Sequence, residues 1–300
     1  MTKEPLVSII MNCHNGEKYL KDSLESILKQ KYKNWELIFW DNKSDDNSAK
    51  ILKNFKDKRI KYFYTNKKTE LYEARNLAIK KTKGKFISFL DVDDVWFSNK
   101  LKLQIKKFKN KDVGLVYGKY YKINKNNIIK QKQLITKKNL PIGNITSSLL
   151  KNYSVGLLTI VIRKSFLKKK VFRVKYNYLG DLDFVLKFSL KYKFEAIQKP
   201  IAIYRQHENQ MQRKYYKIKS IQFEKWYNEI TKLKTFGIKQ NLKLFQEWNR
   251  FQKTSALIKS NNYYKASFAL IRYPLNLNKL KLLIMFCLPN FISKNIINET

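Results

Sequence analysis

VSIIMNCHNGEKYLKDSLESILKQKYKNWELIFWDNKSDD, residues 7–46, contains two short apolar runs, each followed by polar residues, with a patterned segment between them. In that segment Leu20, Leu24 and Ile27 recur at intervals of three and four residues, which is the period of an amphipathic helix. The two apolar runs have the length and composition of buried strands. The stretch therefore predicts a β-α-β unit, the building block of a parallel sheet.

The same alternation continues along the first part of the chain. Apolar runs predict strands and amphipathic segments predict helices, with Gly84 as a helix stop; the strands are 59–64, 85–90 and 113–118, and the helices are 44–55, 70–82 and 100–110. Further on, strands at 158–163 and 201–205 flank a helix at 181–192. Repeated β-α units favour an α/β fold with a mostly parallel sheet and helices on both faces.

After about residue 210 the sequence predicts only helices. Three amphipathic segments precede an apolar run, LLIMFCL; the segments are 223–233, 242–251 and 263–271, and the run is 282–288. The run is too short to span a bilayer and has two interpretations, a core segment or a segment that lies on a membrane surface. We therefore expect an α/β domain over 1–210 and a helical region over 211–300.

The charge is strongly basic, with 63 Lys and Arg against 23 Asp and Glu among 300 residues. Only eight of the 63 are Arg, the residue that base readers and phosphate clamps favour. Lys, Asn, Ile, Tyr and Phe are all abundant, which is typical of an AT-rich genome, and attraction to an anionic surface is the alternative. A nucleic-acid-binding protein with basic and aromatic patches would not need acidic strand ends, so we expect no nucleic-acid partner.

The sequence features that the chain lacks indicate its cellular compartment. Cys13 and Cys287 are far apart and form neither a disulfide framework nor a zinc pattern, which favours a reducing compartment. The N-terminus lacks the features of a signal peptide, and no apolar stretch reaches the roughly 18 residues of a membrane span. We expect a cytoplasmic protein, with peripheral association to the inner face of the cell membrane as an open alternative.

Polar and acidic residues follow three of the predicted strands, as NCHNGE, DNKSDD and DVDD. Ligands of doubly wound sheets bind outside the carboxyl ends of the strands. In the third segment, Asp91 and Asp93 are spaced to anchor Mg²⁺ or Mn²⁺, which take oxygen ligands and leave positions for phosphates. The alternative is that Asp94 caps the next helix while the other two carboxylates are solvated.

The segment 7–46, followed by YEARNLAIKKTKGKFISFLDVDDVW (72–96), GDLDFVLKF (180–188) and YRQHENQ (204–210), resembles the family 2 glycosyltransferases with the Rossmann-like GT-A fold. The order and spacing of these motifs fit over roughly residues 5–210. The resemblance implies a nucleotide-diphosphate sugar donor, with UDP or dTDP favoured, a divalent Mn²⁺ or Mg²⁺ ion, and inversion at the anomeric carbon.

Several donor-binding residues follow from the resemblance. The segment that holds the base and ribose of the donor is matched by Asn12, His14, Asn15 and Glu17. A family pair of aspartates, the second of which reads the uracil or thymine edge, is matched by Asp41 and Asn42. Asn42 has both donor and acceptor atoms and could still bond a base edge, but this departure leaves the nucleobase open.

The remaining matches concern the helix before the acidic segment and the metal motif. Arg75 and Asn76 match a helix start that contacts the nucleotide, although a helical Arg is otherwise usually a surface residue. Asp91 and Asp93 match the metal motif, and Asp91 is also expected to contact the donor. His207 could approach the metal or diphosphate, or be a satisfied structural residue.

The general base is expected in GDLDF. Gly180 replaces the Glu that the family often has, while Asp181 keeps the Asp that acts as base. Asp183 lies on a different helix face, so one carboxylate would serve catalysis and the other structure. Asp181 could also be the N-terminal cap of its helix.

The acceptor implied by the family is a saccharide, often a growing polysaccharide on a lipid carrier. We therefore expect a glycosyltransferase of cell-surface polysaccharide or lipopolysaccharide synthesis. Because of the departures at Asn42 and Gly180, the alternative is a catalytically silent relative that acts as a membrane-associated scaffold.

Overall fold

The computed structural model describes residues 4–123, 133–136, 138–207, 216–232, 239–259 and 261–287. The chain divides into two compact units, Met1–Gln210 and Met211–Thr300. The strands of the first unit are β1 Val7–Cys13, β2 Trp35–Asp41, β3 Ile60–Tyr64, β4 Phe86–Phe89, β5 Val95–Trp96, β6 Val113–Ile123, β7 Gln133–Leu134, β8 Val161–Arg163 and β9 Lys193–Arg205. Its helices are α1 Glu17–Leu28, α2 Ser48–Lys53, α3 Leu71–Lys80, α4 Lys100–Lys107, α5 Thr146–Lys151 and α6 Gly180–Ser189.

All of these strands belong to one sheet, with the order β3-β2-β1-β4-β8-β6-β9-β5 and β7 paired to β6. The half formed by the first four strands is entirely parallel. In the other half β6 and β9 pair in parallel, whereas β8, β5 and β7 pair antiparallel with their neighbours. The carboxyl ends of β1, β2 and β4 therefore meet at one edge of the sheet.

The centre of the parallel half of the sheet is buried on both faces. Every residue of β1 and β2 is buried, as expected for strands covered by helices on both sides. Helix α1 buries Leu20, Leu24 and Ile27 in the same core, on the face that the sequence spacing predicts.

Some boundaries differ from the prediction. Helix α3 ends well before Gly84, whose glycine is required because a Cβ there would lie 2.6 Å from the backbone nitrogen of Ser8. Helix α2 begins at Ser48, later than predicted, because Ser44 and its neighbours bond the loop after β1. Strand β6 continues to Ile123 alongside β9.

The second unit contains the helices α7 Tyr216–Thr231, α8 Lys239–Lys259, α9 Tyr263–Ile271 and α10 Leu277–Cys287. A small core joins the last three; it contains Ile258, Ala266, Leu270, Tyr273, Leu282 and Met285. The predicted segments ending at Leu233 and Leu288 extend past the described residues, as does the end of the 204–210 motif. Among the described helices, none combines the length and apolarity needed to cross a membrane.

Candidate functional site

The polar segments that follow β1, β2 and β4 lie at the same edge of the sheet. Cys13 pairs with Asp41 at the ends of β1 and β2, and Ile10 pairs with Phe89 at the end of β4. The N–H of Leu90 still donates to Ile10 O at 3.0 Å, so the chain leaves the sheet just before the acidic segment. This edge is the place where ligands of such sheets bind.

Asn12 is a buried polar residue whose side-chain hydrogen bonding is unsatisfied. Within the described residues, neither the Nδ2 nor the Oδ1 atom of its carboxamide has a hydrogen-bond partner. Most buried polar atoms in proteins are bonded, so an unsatisfied carboxamide at a ligand-binding edge indicates a group that a ligand or water completes. The prediction that Asn12 contacts the donor is compatible with this environment.

Asn15 and Glu17 join the loop after β1 to the loop after β2. The Asn15 amide donates to Asp45 Oδ1 at 2.6 Å, and the Asp45 N–H donates back to Asn15 Oδ1 at 3.0 Å. Glu17 Oε2 accepts from the backbone and side-chain amides of Asn47 at 3.0 and 2.8 Å, and the Glu17 N–H donates to Asp46 Oδ2 at 2.9 Å. These side chains hold the two loops together, and their contact with a nucleotide stays a prediction.

His14 is exposed in the same loop. Lys68 Nζ lies 2.5 Å from its Nε2 and can donate there only if Nε2 carries no proton. The Nδ1–H then donates to the carbonyl oxygen of Lys43 at 3.0 Å. His14 thus bridges the loop after β2 and a lysine in the loop after β3.

Asp41 is the last residue of β2 and Asn42 follows it, and both are buried. Asp41 accepts from the Ser44 N–H at 2.8 Å and from the Tyr62 hydroxyl at 2.9 Å. The Asn42 amide donates to Thr69 O at 2.8 Å, and its Oδ1 accepts from the Thr69 N–H at 3.1 Å and hydroxyl at 3.0 Å. Asn42 therefore fastens the loop before α3, and a nucleobase would have to share or displace these bonds.

Arg75 projects from α3 to the acidic segment. Its Nη2 donates to both oxygens of Asp91, at 2.6 and 2.9 Å. The Arg75 side chain is 3% exposed and that of Asp91 is 41% exposed. Burial acts to lower the pKa of Arg75, but the charge of Asp91 is foremost among the groups that raise it overall. The buried guanidinium of Arg75 thus fixes the Asp91 carboxylate, which remains accessible to solvent.

Asn76, the neighbour of Arg75, has a different environment. Its Nδ2 donates to Phe172 O at 2.7 Å, and its Oδ1 accepts from the N–H groups of Val171 and Phe172 at 3.2 and 3.0 Å. The Asn76 carboxamide thus bonds the backbone groups of residues 171–172, as a neighbouring strand would. Its predicted contact with the nucleotide stays a prediction.

Asp93 and Asp94 differ sharply in environment. Asp93 Oδ2 lies 3.0 Å from His207 Nε2, and both side chains are largely buried. Asp94 is buried and accepts the Arg205 N–H at 3.1 Å; burial, followed by the charges of Asp93 and Asp91, raises its pKa well above the ordinary value. The alternative that Asp94 caps the next helix is wrong, because α4 begins after Asn99.

The donor set at Asp93 and His207 fits a divalent cation. An octahedral ion with bonds of about 2.1 Å has neighbouring ligands about 3 Å apart, which is the separation of this carboxylate and imidazole. Among the described residues no cluster of three or more His, Cys, Asp or Glu side chains could hold a metal. The remaining positions would be filled by water and substrate oxygens, as Mg²⁺ prefers.

Asp181 lies in the first turn of α6. Its Oδ1 accepts from the Tyr72 hydroxyl at 3.1 Å and from the Leu182 N–H at 2.8 Å. The helix begins at Gly180 with Leu179 at the N-cap position, so the interpretation of Asp181 as the cap is wrong.

Asp183 is held in ion pairs. It accepts from Arg173 Nε at 2.8 Å, and Lys187 Nζ lies 3.2 Å from its carboxylate. Because its side chain is almost fully buried, Asp183 serves the structure of this region. Asp181 is only half-buried, and its role as the general base stays a prediction.

Three contributors were not predicted from the sequence, namely Tyr62, Thr69 and Tyr72. Tyr72 precedes Arg75 by three residues in a helix, a spacing that places both on one face and could have indicated its role. Tyr62 and Thr69 reach the site through pairing of β3 with β2 and through an irregular loop, for which the sequence has no local pattern.

A sequence profile of the family described as glycosyl transferase family 2 matches residues 8–172, more than half of the chain. The chain belongs to glycosyl transferase family 2. A relative from Escherichia coli, the UDP-Glc:alpha-D-GlcNAc-diphosphoundecaprenol beta-1,3-glucosyltransferase WfgD, is 40% identical over 165 residues, which are 54% of this chain and 62% of that protein. An uncharacterized Haemophilus influenzae glycosyltransferase is 40% identical over 39% of this chain and 47% of its own length. The chain therefore spans less than two thirds of either relative.

Solved structures share the fold. TarS 1-349 of S. aureus in complex with UDP-GlcNAc is 18% identical, with a TM-score of 0.63 over 93% of this chain and 78% of that chain. The mannosyltransferase PcManGT from Pyrobaculum calidifontis in complex with GDP-Man and Mn²⁺ is 14% identical, with a TM-score of 0.61 over 94% of this chain and 79% of that chain. At these identities the likeness shows the fold alone, and the expected GT-A fold is confirmed.

Expected site residues of this family 2 chain lie in three groups. Arg75 holds Asp91, and Asp93 faces His207. Asp181 lies against Tyr72 on the neighbouring helix. The two departures from the family pattern both have local partners, since Asn42 bonds Thr69 and Gly180 lies against the Tyr72 ring.

Proposed function

We propose that this chain transfers a sugar from a nucleotide-diphosphate sugar to an acceptor hydroxyl, with inversion at the anomeric carbon, in cell-surface polysaccharide or lipopolysaccharide synthesis. The observation that carries the proposal is the Asp93–His207 pair next to an accessible, Arg75-held Asp91 in a family 2 chain. A fold without catalytic function would not need two acidic groups fixed in this way at the ligand-binding edge.

The nucleoside would occupy the ends of β1 and β2. The unsatisfied carboxamide of Asn12 and the buried Asp41 and Asn42 supply donors and acceptors for a base and ribose. A UDP-sugar is favoured, with dTDP next, because the E. coli relative is named for UDP-Glc and the S. aureus structure contains UDP-GlcNAc.

The diphosphate would lie toward Asp93 and His207, which would hold Mn²⁺ or Mg²⁺. When bound, such an ion neutralises charge on the diphosphate. Asp91, fixed by the buried guanidinium of Arg75, would accept hydrogen bonds from donor hydroxyl groups.

Asp181 would be the general base. As the acceptor oxygen forms its bond to the anomeric carbon, the hydroxyl proton moves to the Asp181 carboxylate. The bond between the anomeric carbon and the diphosphate oxygen breaks, and the nucleoside diphosphate leaves with that electron pair. Attack from the face opposite the leaving group gives inversion.

The acceptor would be a saccharide or a lipid-linked saccharide at the inner membrane surface, by analogy with the lipid-diphosphate acceptor in the name of the E. coli relative. The end of α9 and the loop before α10 expose large apolar side chains, with Ile271 at 75% and Leu275 at 91%. Residues 248–298 contain eight Lys and Arg and no Asp or Glu. Exposed apolar side chains on a segment whose own charges are all basic suit an anionic bilayer.

The function is tested by a donor screen. UDP, dTDP and GDP are added with Mn²⁺ or EDTA, and thermal unfolding is followed for wild type, Asp93→Asn and the control Asp112→Asn, whose exposed carboxylate pairs with Lys193. A hundredfold excess of ligand over Kd stabilises by about 2.7 kcal/mol. We expect a metal-dependent shift with one nucleotide that is lost only in Asp93→Asn. Sugar transfer is then tested by measuring release of that nucleoside diphosphate from its sugar nucleotide, with a GlcNAc-diphosphate lipid as acceptor. A folded chain that binds no nucleotide supports the scaffold alternative.

Membrane binding is tested separately with vesicles. Wild type should float with phosphatidylglycerol vesicles and less with phosphatidylcholine, and high salt should weaken the binding. The double variant Leu275→Ser, Leu277→Ser should lose most of it, whereas Leu103→Ser on α4 should not. Equal flotation of all variants would contradict the membrane proposal.

A further inference from the structure

Gly180 and Tyr72 are packed so closely that position 180 has no room for a side chain. A Cβ on Gly180 would lie 2.6–2.7 Å from Cδ2, Cε2 and Cγ of the Tyr72 ring. The ring is buried and also packs on Phe172 at 5.0 Å between centroids, so it cannot move aside without disturbing the core. The glycine therefore makes room for this tyrosine at the start of α6.

The hydroxyl of Tyr72 determines which oxygen of Asp181 is engaged. It donates to Oδ1 at 3.1 Å, and the second hydrogen bond, from the Leu182 N–H at 2.8 Å, also ends on Oδ1. Burial first, and then the charge of Asp181, raises the pKa of Tyr72 far above the neutral range, so the hydroxyl remains a donor. With Oδ1 held by two donors, Oδ2 is left for proton transfer.

Tyr72 also contacts the donor side of the site. Arg75 Cζ lies 5.0 Å from the centre of its ring, and Nη2 of the same guanidinium binds Asp91. One side chain thus touches both the arginine that fixes Asp91 and the carboxylate of Asp181.

We propose that Tyr72, seated against Gly180, is the positioning residue of Asp181 and holds its Oδ2 in line with the acceptor hydroxyl. The inference rests on the proposed function, in which Asp181 is the general base. A carboxylate free to rotate would present its basic oxygen only part of the time, so fixing it raises kcat without changing donor affinity.

The test measures nucleotide release from the sugar nucleotide that wild type turns over fastest, with a GlcNAc-diphosphate lipid as acceptor, against pH. We expect Tyr72→Phe to lower kcat about tenfold and to change the donor KM by less than about twofold. The acid limb of kcat should move to higher pH, because the ionised carboxylate loses a hydrogen-bond donor. Among the described residues, Arg75, Tyr120 and Tyr153 also interact electrostatically with Asp181, and this variant retains them.

Two further variants separate positioning from structure. Tyr117→Phe removes another largely buried hydroxyl, which donates to Pro141 O at 2.7 Å, and should lower the Tm without moving the pH profile. Gly180→Ala should lower kcat as Tyr72→Phe does and should also lower the Tm, because the added methyl displaces the buried ring from Asp181 and disturbs the core.

The outcomes distinguish this inference from the proposed function. If a folded Tyr72→Phe keeps the wild-type kcat and pH profile while Asp181→Asn is inactive, the positioning role is wrong and the base assignment stands. If Asp181→Asn retains activity, or wild type turns over no sugar nucleotide, the proposed function itself fails.

Discussion

Asp93 and His207 are 114 residues apart in the chain, yet Asp93 Oδ2 lies 3.0 Å from His207 Nε2. The sheet makes this contact, because β5 pairs antiparallel with β9 and the N–H of Arg205 donates to Asp94 Oδ1. The end of β9 is thereby brought against the acidic segment. The ring of His207 also lies 5.0 Å from that of Tyr19, which orients the imidazole.

Replacing His207 should change the metal requirement and leave the fold intact. We expect His207→Ala to raise the Mn²⁺ concentration at half-maximal thermal stabilisation by the bound nucleotide about tenfold or more, because one of two protein ligands is lost. Lys193→Gln, at the opposite end of β9, is the control and should leave the metal titration unchanged. Identical titrations for His207→Ala and wild type would show that the imidazole does not bind the ion.

The strands and the positions of the acidic segment could be predicted because buried runs such as β1 and β2 have a local signal, and because the family motifs place the site. The hydrogen-bond partners of several site residues could not be predicted. Asn76 bonds a segment almost a hundred residues away, and Asn42 bonds Thr69 in an irregular loop. These contacts depend on how the sheet brings distant segments together, which no periodicity in the sequence encodes.

The environment of Asp94 shows the same limit. From the sequence alone, an Asp shortly before a helix is readily interpreted as its cap, but α4 begins only after Asn99. Only the return of β9 places the N–H of Arg205 against Asp94.

The Arg75–Asp91 pair predicts that lysine cannot replace this arginine. Arg75→Lys keeps the charge but loses the planar group that reaches both oxygens of Asp91 from a buried position. We expect the free energy of unfolding to fall by about 1–3 kcal/mol and nucleotide affinity to fall about tenfold. Urea unfolding and nucleotide titration measure the two effects.

Arg59→Lys is the matched control for that experiment. Arg59 also binds a carboxylate, Asp57, and lies 3.6 Å above the centre of the Trp35 ring, but it is outside the proposed donor site. It should lose stability and keep its nucleotide affinity. A loss of affinity as large as that of Arg75→Lys would indicate a general effect of destabilisation.

Restoring the aspartate that the family usually has at position 42 should destabilise this chain. In Asn42→Asp a carboxylate oxygen would replace the Nδ2 that donates to Thr69 O, so two acceptors would face each other. We expect a loss of about 1–3 kcal/mol in urea unfolding with an unchanged m-value. Thr69→Val, which removes only the hydroxyl bond to Asn42 Oδ1, should cost about 1 kcal/mol. An Asn42→Asp variant as stable as wild type would mean that the loop before α3 rearranges.

Glu36, the second residue of β2, predicts a pH dependence of stability. Its side chain is 4% exposed, and it accepts from the Ser8 hydroxyl at 2.6 Å, the Lys83 N–H at 2.6 Å and Lys61 Nζ at 2.5 Å. Burial acts to raise the pKa of Glu36, but the bonds from Lys61, Ser8 and Lys83 lower it overall. The folded state therefore favours the ionised form more strongly than the unfolded state does.

The sign of the effect follows from this difference. Because the folded pKa of Glu36 lies below the unfolded value of about 4.3, its contribution is fully present above that pH and is lost as the pH falls through the folded pKa. Glu36→Gln should lose about 2–4 kcal/mol at pH 7, where three donors would face a neutral amide. The difference between wild type and variant should shrink below about pH 4. Urea unfolding at pH 7, 5 and 3.5 measures it, with Glu25→Gln on the exposed face of α1 as the control expected to change little. A difference between wild type and Glu36→Gln that stays constant over this range would show that the charge of Glu36 is not what stabilises β2.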